Sequence, residues 1–190
     1  MRVMPPFASM RRWLCAFRRD QRGVSAVEFA MLLPLMLTLY LGGVEISQAV
    51  TVDRRVSLAA RAVADLVAQG ATISNAEMTN ILNAAKAVTA PFPDSNLKVT
   101  VSSVKIDANR KATIEWSDAL NTAPRPKDQT VTIPAGLTVP NTWIIWAEVQ
   151  YGYTPTIGYV ITGTINLTDQ IFMRPRNQDR VCREGVTVCS

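Results

Sequence analysis

The chain contains no histidine. This removes the usual general base near neutral pH and the commonest metal ligand, and with them His-dependent triads and most zinc sites. Cysteine is nearly as scarce, with only Cys15, Cys182 and Cys189, too few to complete a tetrahedral metal site. In an oxidising compartment Cys182 and Cys189 read as a disulfide, whose small loop contributes about 2–3 kcal/mol in the chain-entropy model; in a cytosolic protein they are two unpaired thiols. There is no glycine-rich phosphate loop, no pair of catalytic carboxylates and no nucleophile elbow. The reading is a protein that is not an enzyme and has no catalytic residue, metal or other cofactor.

Charge is also sparse, at 18% of 190 residues against 48% apolar, a balance that folds rather than stays disordered. The net charge of +5 suggests nucleic acid until its location is considered. Arg2, Arg11, Arg12, Arg18, Arg19 and Arg22 stand against Asp20 alone in residues 1–23, and this accounts for the whole surplus. A neutral body behind a basic leader is not a phosphate-binding surface, so nucleic acid is excluded as a partner.

What the sequence does have is one long apolar run. Phe29 to Val44 carries no charge, and extension back to Val24 meets only Glu28. As a helix, residues 24–44 span about 32 Å, enough to cross a hydrocarbon core of about 30 Å. The arginines precede the run and Glu45 and Asp53 follow it, which places the N-terminus in the cytoplasm and exports the body. Glu28 costs about 2.5–3.5 kcal/mol at a helix centre and less near the interface, to which it can snorkel. Pro34 removes one helix hydrogen bond and is expected to kink or loosen the span.

The string Arg22-Gly23-Val24-Ser25-Ala26-Val27-Glu28-Phe29 resembles the site cut by prepilin peptidases: a basic leader ending in Gly, four residues, then Glu and an aromatic before an apolar helix. The wider stretch GVSAVEFAMLLPLMLTLYLGGVEISQAV, with Pro34 at its middle and Glu45 after a glycine pair, is similar to the TadE family of pseudopilins. Met173-Arg174-Pro175-Arg176 resembles a C-terminal element of TadE-like proteins. The resemblance covers about a third of the chain and points to the short TadE/TadF class.

That resemblance implies a minor pilin of a tight-adherence (Tad, Flp-type) pilus, made as an inner-membrane precursor. Cleavage between Gly23 and Val24 would remove the leader and make Glu28 the fifth residue. Glu28, with Phe29 beside it, would set the axial register by pairing with the Val24 amine of a neighbouring subunit, because a carboxylate in an apolar bundle needs a cationic partner or a proton. The implied partners are a prepilin peptidase, the major Flp-type pilin, another minor pilin and the inner-membrane assembly platform. Two other readings stay open: an ordinary signal anchor that tethers an unprocessed periplasmic binding module, and a secretory signal cut after Ala49.

The resulting division is a leader over 1–23, a transmembrane helix over 24–44 and an exported domain over 45–190. Val52, Val56, Ala59, Ala60, Val63, Leu66 and Val67 continue a helical stripe to about Gln69, with Arg61 and Asp65 as an i,i+4 pair and Gly70 as C-cap. Ser74 and Glu77 form a capping box, Ile73 and Met78 a staple, and Met78, Ile81, Leu82, Ala85 and Val88 the buried face of a second helix that Pro91 ends. Period-two segments follow at Leu97–Ile106, with a slip at Ser102 and Ser103, and at Ala112–Ser117, joined by a turn at Asp107–Arg110. Residues 118–141 read as loop with a short edge strand at 130–133. Thr142–Tyr153 reads as a central strand whose aromatics are core, and Thr162–Met173 as the last strand. Helices before strands give an α+β fold: a long pilin-like N-terminal helix, a short second helix and a C-terminal antiparallel sheet. Arg174, Arg176, Arg180 and Arg183 read as a basic patch, either solvated or facing a partner.

Overall fold

A computed structural model describes residues 22–155, 157–158 and 161–187. Helix α1 runs without a break over Arg22–Gln69, a length of about 72 Å at 1.5 Å per residue. After it come β1 (Thr72–Ile73), α2 (Asn75–Thr89), β2 (Leu97–Ile106), β3 (Ala112–Leu120), β4 (Thr130–Val131), β5 (Thr142–Tyr153), β6 (Ile165–Met173) and β7 (Cys182–Arg183). The architecture is α+β, with a five-stranded antiparallel sheet in the order β4-β3-β2-β5-β6. A separate parallel pair joins β1 to β7; β7 carries no period-two pattern and is absent from the sequence reading.

Local signals account for both helix boundaries. Gly70 N–H bonds the Val67 carbonyl, and a Cβ at Gly70 would stand 3.1 Å from the Ile73 side chain, so this close turn favours glycine. At the start of α2 the Ser74 hydroxyl accepts from Glu77 N–H while the Glu77 carboxylate accepts from Ser74 N–H at 2.8 Å. Ile73 and Met78 are both buried, as a hydrophobic staple requires. The expected turn at Asp107–Arg110 forms, with Asp107 Oδ1 accepting from Lys111 N–H at 2.8 Å and Arg110 taking a positive φ of 62°.

The main core lies between the two helices and one face of the sheet. Val52, Val56, Ala59, Ala60, Val63 and Val67 of α1 meet Leu97, Val99, Val101, Ala147, Val149, Tyr151 and Tyr153. Leu66, expected in this stripe, is 40% exposed, because at 100° per residue it falls to the edge of the arc that Val63 and Val67 bury. Arg61 and Asp65 do not pair: Asp65 is engaged by Arg176, in the segment after β6, and by Gln69.

A second, smaller core sits on the opposite face of the sheet: Val104, Ile106, Ala112, Ile114, Ile133 and Ile144. The slip at Ser102–Ser103 is where the buried face changes. Ser103 pairs with Trp116 but Val104 pairs with Ile114, leaving Glu115 as the extra residue of a β-bulge. Across a bulge the side-chain alternation inverts, so Ile114 belongs to the small core and Trp116 to the main one. The strand β3 extends to Leu120, past the residue where the sequence reading ends it.

Candidate functional site

The candidate site is the N-terminal half of α1. Its residues are helical from Arg22, and most of its large apolar side chains are uncovered by the described residues: Val24, Val27, Phe29, Met31, Leu32, Leu35, Met36, Leu39 and Tyr40 are all exposed. This is one helix long and apolar enough to cross a membrane, and its apolar window is unburied. An apolar surface of this extent needs lipid or other helices around it.

Gly23, Val24, Glu28 and Phe29 fall within two turns of this projecting segment and are exposed. Val24 and Glu28 are four residues apart and therefore neighbours on one helix face. A Cβ at Gly23 would meet no atom within 4 Å. The helix passes through Pro34 uninterrupted, although the missing N–H of Pro34 leaves the Ala30 carbonyl without its helix donor, and on the following turn Thr38 Oγ1 donates to the Pro34 carbonyl at 2.9 Å. Residues 1–21 of the leader, Cys15 among them, lie outside the described residues.

Where the projecting half meets the body the structure places a charge whose role the sequence reading missed. Glu45 is 1% exposed, and its carboxylate accepts the Ile161 N–H at 2.9 Å. One turn further, Gln48 Oε1 accepts from the Tyr153 hydroxyl at 3.4 Å. Burial pushes the Tyr153 phenol above its ordinary range, and the nearby Glu45 carboxylate adds to the rise. The signal available in the sequence was Glu45 as the first charge after 16 uncharged residues, directly behind Gly42-Gly43-Val44.

The basic C-terminal patch is mostly consumed within the protein. Arg176 pairs with Asp65, Arg180 with Glu115 at 3.5 Å and Arg183 with Asp118 at 2.8 Å. Arg174 alone of the four makes no ion pair among the described residues, and it is exposed. Cys182 is buried and disulfide-bonded; the expected partner, Cys189, lies outside the described residues. The aromatics of β5 divide between faces. Tyr151 and Tyr153 enter the main core, whereas Trp146 stacks on Phe172 at 5.4 Å and carries the Arg125 guanidinium 3.8 Å above its ring. Among the described residues no group of His, Cys, Asp or Glu could hold a metal ion.

Residues 23–65 match the family model of TadE-like proteins. That match takes in Gly23, Val24, Glu28, Phe29, Pro34 and Glu45 and ends inside α1, so the similarity to TadE-like proteins is confined to this helix. No curated protein and no solved structure matches the chain.

Proposed function

We propose that the chain is a minor pilin or pseudopilin of a Tad pilus, a structural subunit whose work is assembly rather than turnover. The observation that carries this reading is the projecting apolar half of α1, continuous with a body-packed half and matching the TadE-like model over 23–65. In the precursor the span anchors the subunit in a bacterial inner membrane, N-terminus in the cytoplasm and body in the periplasm. On assembly the same apolar surface leaves lipid for a bundle of like helices, and the subunit enters or primes an extracellular fibre.

Processing hydrolyses the Gly23–Val24 peptide bond: the leader departs with a carboxylate on Gly23, and Val24 acquires a free amine. Inside an apolar bundle the Glu28 carboxylate is costly without a cation. The Val24 ammonium of an adjacent subunit offsets that cost at only one axial offset, so the pair sets register, with Phe29 packing beside it and Pro34 adapting the helix to its neighbours. The partners are then a prepilin peptidase, the major Flp-type pilin, another minor pilin and the inner-membrane assembly platform.

The test is co-expression with a cognate prepilin peptidase, followed by N-terminal sequencing. The expected mature terminus is Val24, and Gly23→Ala should abolish processing. Glu28→Ala should still be cleaved yet fail to support piliation. A Val50 terminus would assign a secretory signal instead. An intact leader in piliated cells would favour a tethered, unprocessed periplasmic module.

A further inference from the structure

Alternation along β2 and β5 sends Leu97, Val99, Val101, Ala147 and Val149 into the main core, and so turns Lys98, Thr100, Glu148 and Gln150 to the opposite face of the sheet. The register sets Lys98 beside Gln150 and Thr100 beside Glu148. Residues 121–125, which follow β3, fold over this face as a wall and leave an opening of about 170 Å³ lined by Lys98, Thr100, Thr122, Arg125, Glu148 and Gln150. A second opening of about 220 Å³, toward Asn96, Gly152 and Asn166, shares Lys98 and Gln150 with it. The two form one trough. A Cβ on Gly152 would stand 3.5 Å from Thr164 Cγ2 and 3.9 Å from Asn166 Oδ1, so glycine keeps the second opening clear.

The wall is tied down at both ends. Asn121, at a positive φ of 54°, donates from Nδ2 to the Leu97 carbonyl at 2.8 Å and to the Asp94 carbonyl at 2.9 Å. Arg125 donates its backbone N–H to Ser117 Oγ at 3.1 Å and Nη2 to Glu148 Oε2 at 2.5 Å, and its guanidinium lies 3.8 Å over the Trp146 ring. A wall fixed in this way needs little ordering when a ligand arrives. The charge of Arg125 is committed to Glu148, whereas Lys98 is exposed and makes no ion pair among the described residues. Thr100, Thr122 and Gln150 likewise make no side-chain hydrogen bond among them. Four uncommitted polar side chains thus converge on one opening.

We infer that this trough binds an acidic polysaccharide, with Lys98 taking the carboxylate of a uronic acid unit and Thr100, Thr122 and Gln150 taking sugar hydroxyls. A lone ammonium among neutral donors and acceptors is complementary to a ligand with one negative charge among several hydroxyls. The trough's second opening gives room for a neighbouring unit of the same chain. A peptide fits less well. Ala123 is the sole apolar side chain lining the first opening, so there is no pocket to anchor an apolar residue, and strand addition would use an edge of the sheet rather than its face. This inference goes beyond the pilin reading and depends on neither cleavage nor fibre formation.

The test is isothermal titration calorimetry of the full-length protein in a neutral detergent with a galacturonate hexamer. Saturable binding is expected, and it should weaken with added salt. Methyl esterification of the hexamer keeps the hydroxyls and removes the charge, and should lower affinity about tenfold or more. Lys98→Gln should do the same, whereas Lys111→Gln, which removes an equal charge at the β2–β3 hairpin, should leave affinity unchanged; circular dichroism checks that both variants fold. No binding of the acidic hexamer, equal affinity for its methyl ester, or an equal loss in Lys111→Gln would overturn the inference. Equal or tighter binding of a polyglutamate peptide through Lys98 would also overturn it, and would assign the trough to a protein ligand.

Discussion

Arg183 of β7 grips Asp118 of β3 through two contacts, Nε to Oδ2 at 2.8 Å and Nη2 to Oδ1 at 3.3 Å. The same guanidinium donates to the Ile73 carbonyl at 3.2 Å and to Asn75 Oδ1 at 2.7 Å. One buried side chain therefore ties β1, α2, β3 and β7 together, and Trp116 reinforces the junction by donating to the Val181 carbonyl at 2.8 Å. The planar guanidinium presents five donors in a fixed fork that reaches acceptors on several elements, whereas a lysine ammonium has three donors at one point and no bidentate geometry.

Arg183→Ala leaves the partly buried Asp118 carboxylate and the Asn75 Oδ1 without this donor, while the Ile73 carbonyl keeps the Glu184 N–H, and the expected loss is about 2–4 kcal/mol. Arg183→Lys should fall between that variant and the parent. Urea unfolding of the detergent-solubilised protein, followed by tryptophan fluorescence, checks both; parental stability in Arg183→Ala would contradict the hub role.

Ser74→Ala should destabilise the protein by about 1 kcal/mol through loss of the helix cap. The Glu77 carboxyl is held below its ordinary range, first by the Ser74 backbone N–H and then by the Ser74 hydroxyl. Since the folded-state pKa is the lower one, this contribution is complete above the ordinary carboxylate range and vanishes as pH falls through the folded value. Glu77→Gln should therefore flatten that part of the acid limb of stability against pH. An acid limb identical to the parent's would show that the carboxylate contributes nothing there.

Tyr153 reports on the junction below the sheet from the alkaline side. Its phenol is raised by burial and then by Glu45, and burial likewise raises Tyr151. Folding is thus favoured fully below the ordinary phenol range and less so as pH climbs through the raised values, because the unfolded chain ionises first. Spectrophotometric titration should show a late-titrating component that shrinks in Tyr153→Phe. A component of unchanged amplitude would place the buried phenols elsewhere.

The outer edge of β6 is open, and its sequence INLTDQIFM contains no Lys, Arg or Pro to discourage pairing. Asp169 sits at its midpoint, with its carboxylate accepting the Gln170 N–H at 2.8 Å. Two copies paired antiparallel about that midpoint would oppose Asp169 to itself, an arrangement that like charges disfavour. Asp169→Val should convert a monomeric detergent-solubilised protein into dimers or larger species by light scattering; an unchanged mass would remove this guarding role.

Much of the fold was legible because its signals are short-range. The Ser74–Glu77 box, the Ile73–Met78 staple, the Asp107 turn and the bounds of β5 depend on residues a few positions apart, where propensity and side-chain chemistry act directly on the backbone. Even the irregularity in β2 was visible as a broken alternation at Ser102–Ser103. Its meaning was not, since a bulge in β3 at Glu115 decides that Ile114 presents the same face as Val104. Likewise Arg176, Arg180 and Arg183 looked like surface, because their partners Asp65, Glu115 and Asp118 stand 65 or more residues away in the chain.

By itself the amino-acid order determined the apolar run, its single carboxylate at Glu28, the basic leader before it and the helix-then-strand succession, all of which follow from composition and period along a few turns. Only the tertiary structure decided that Glu45 is buried beneath Ile161, that the sheet has a core on each face and that β7 pairs with β1. Those outcomes depend on contacts between segments distant in sequence, where the free energy of satisfying a buried charge or carbonyl selects one partner among many.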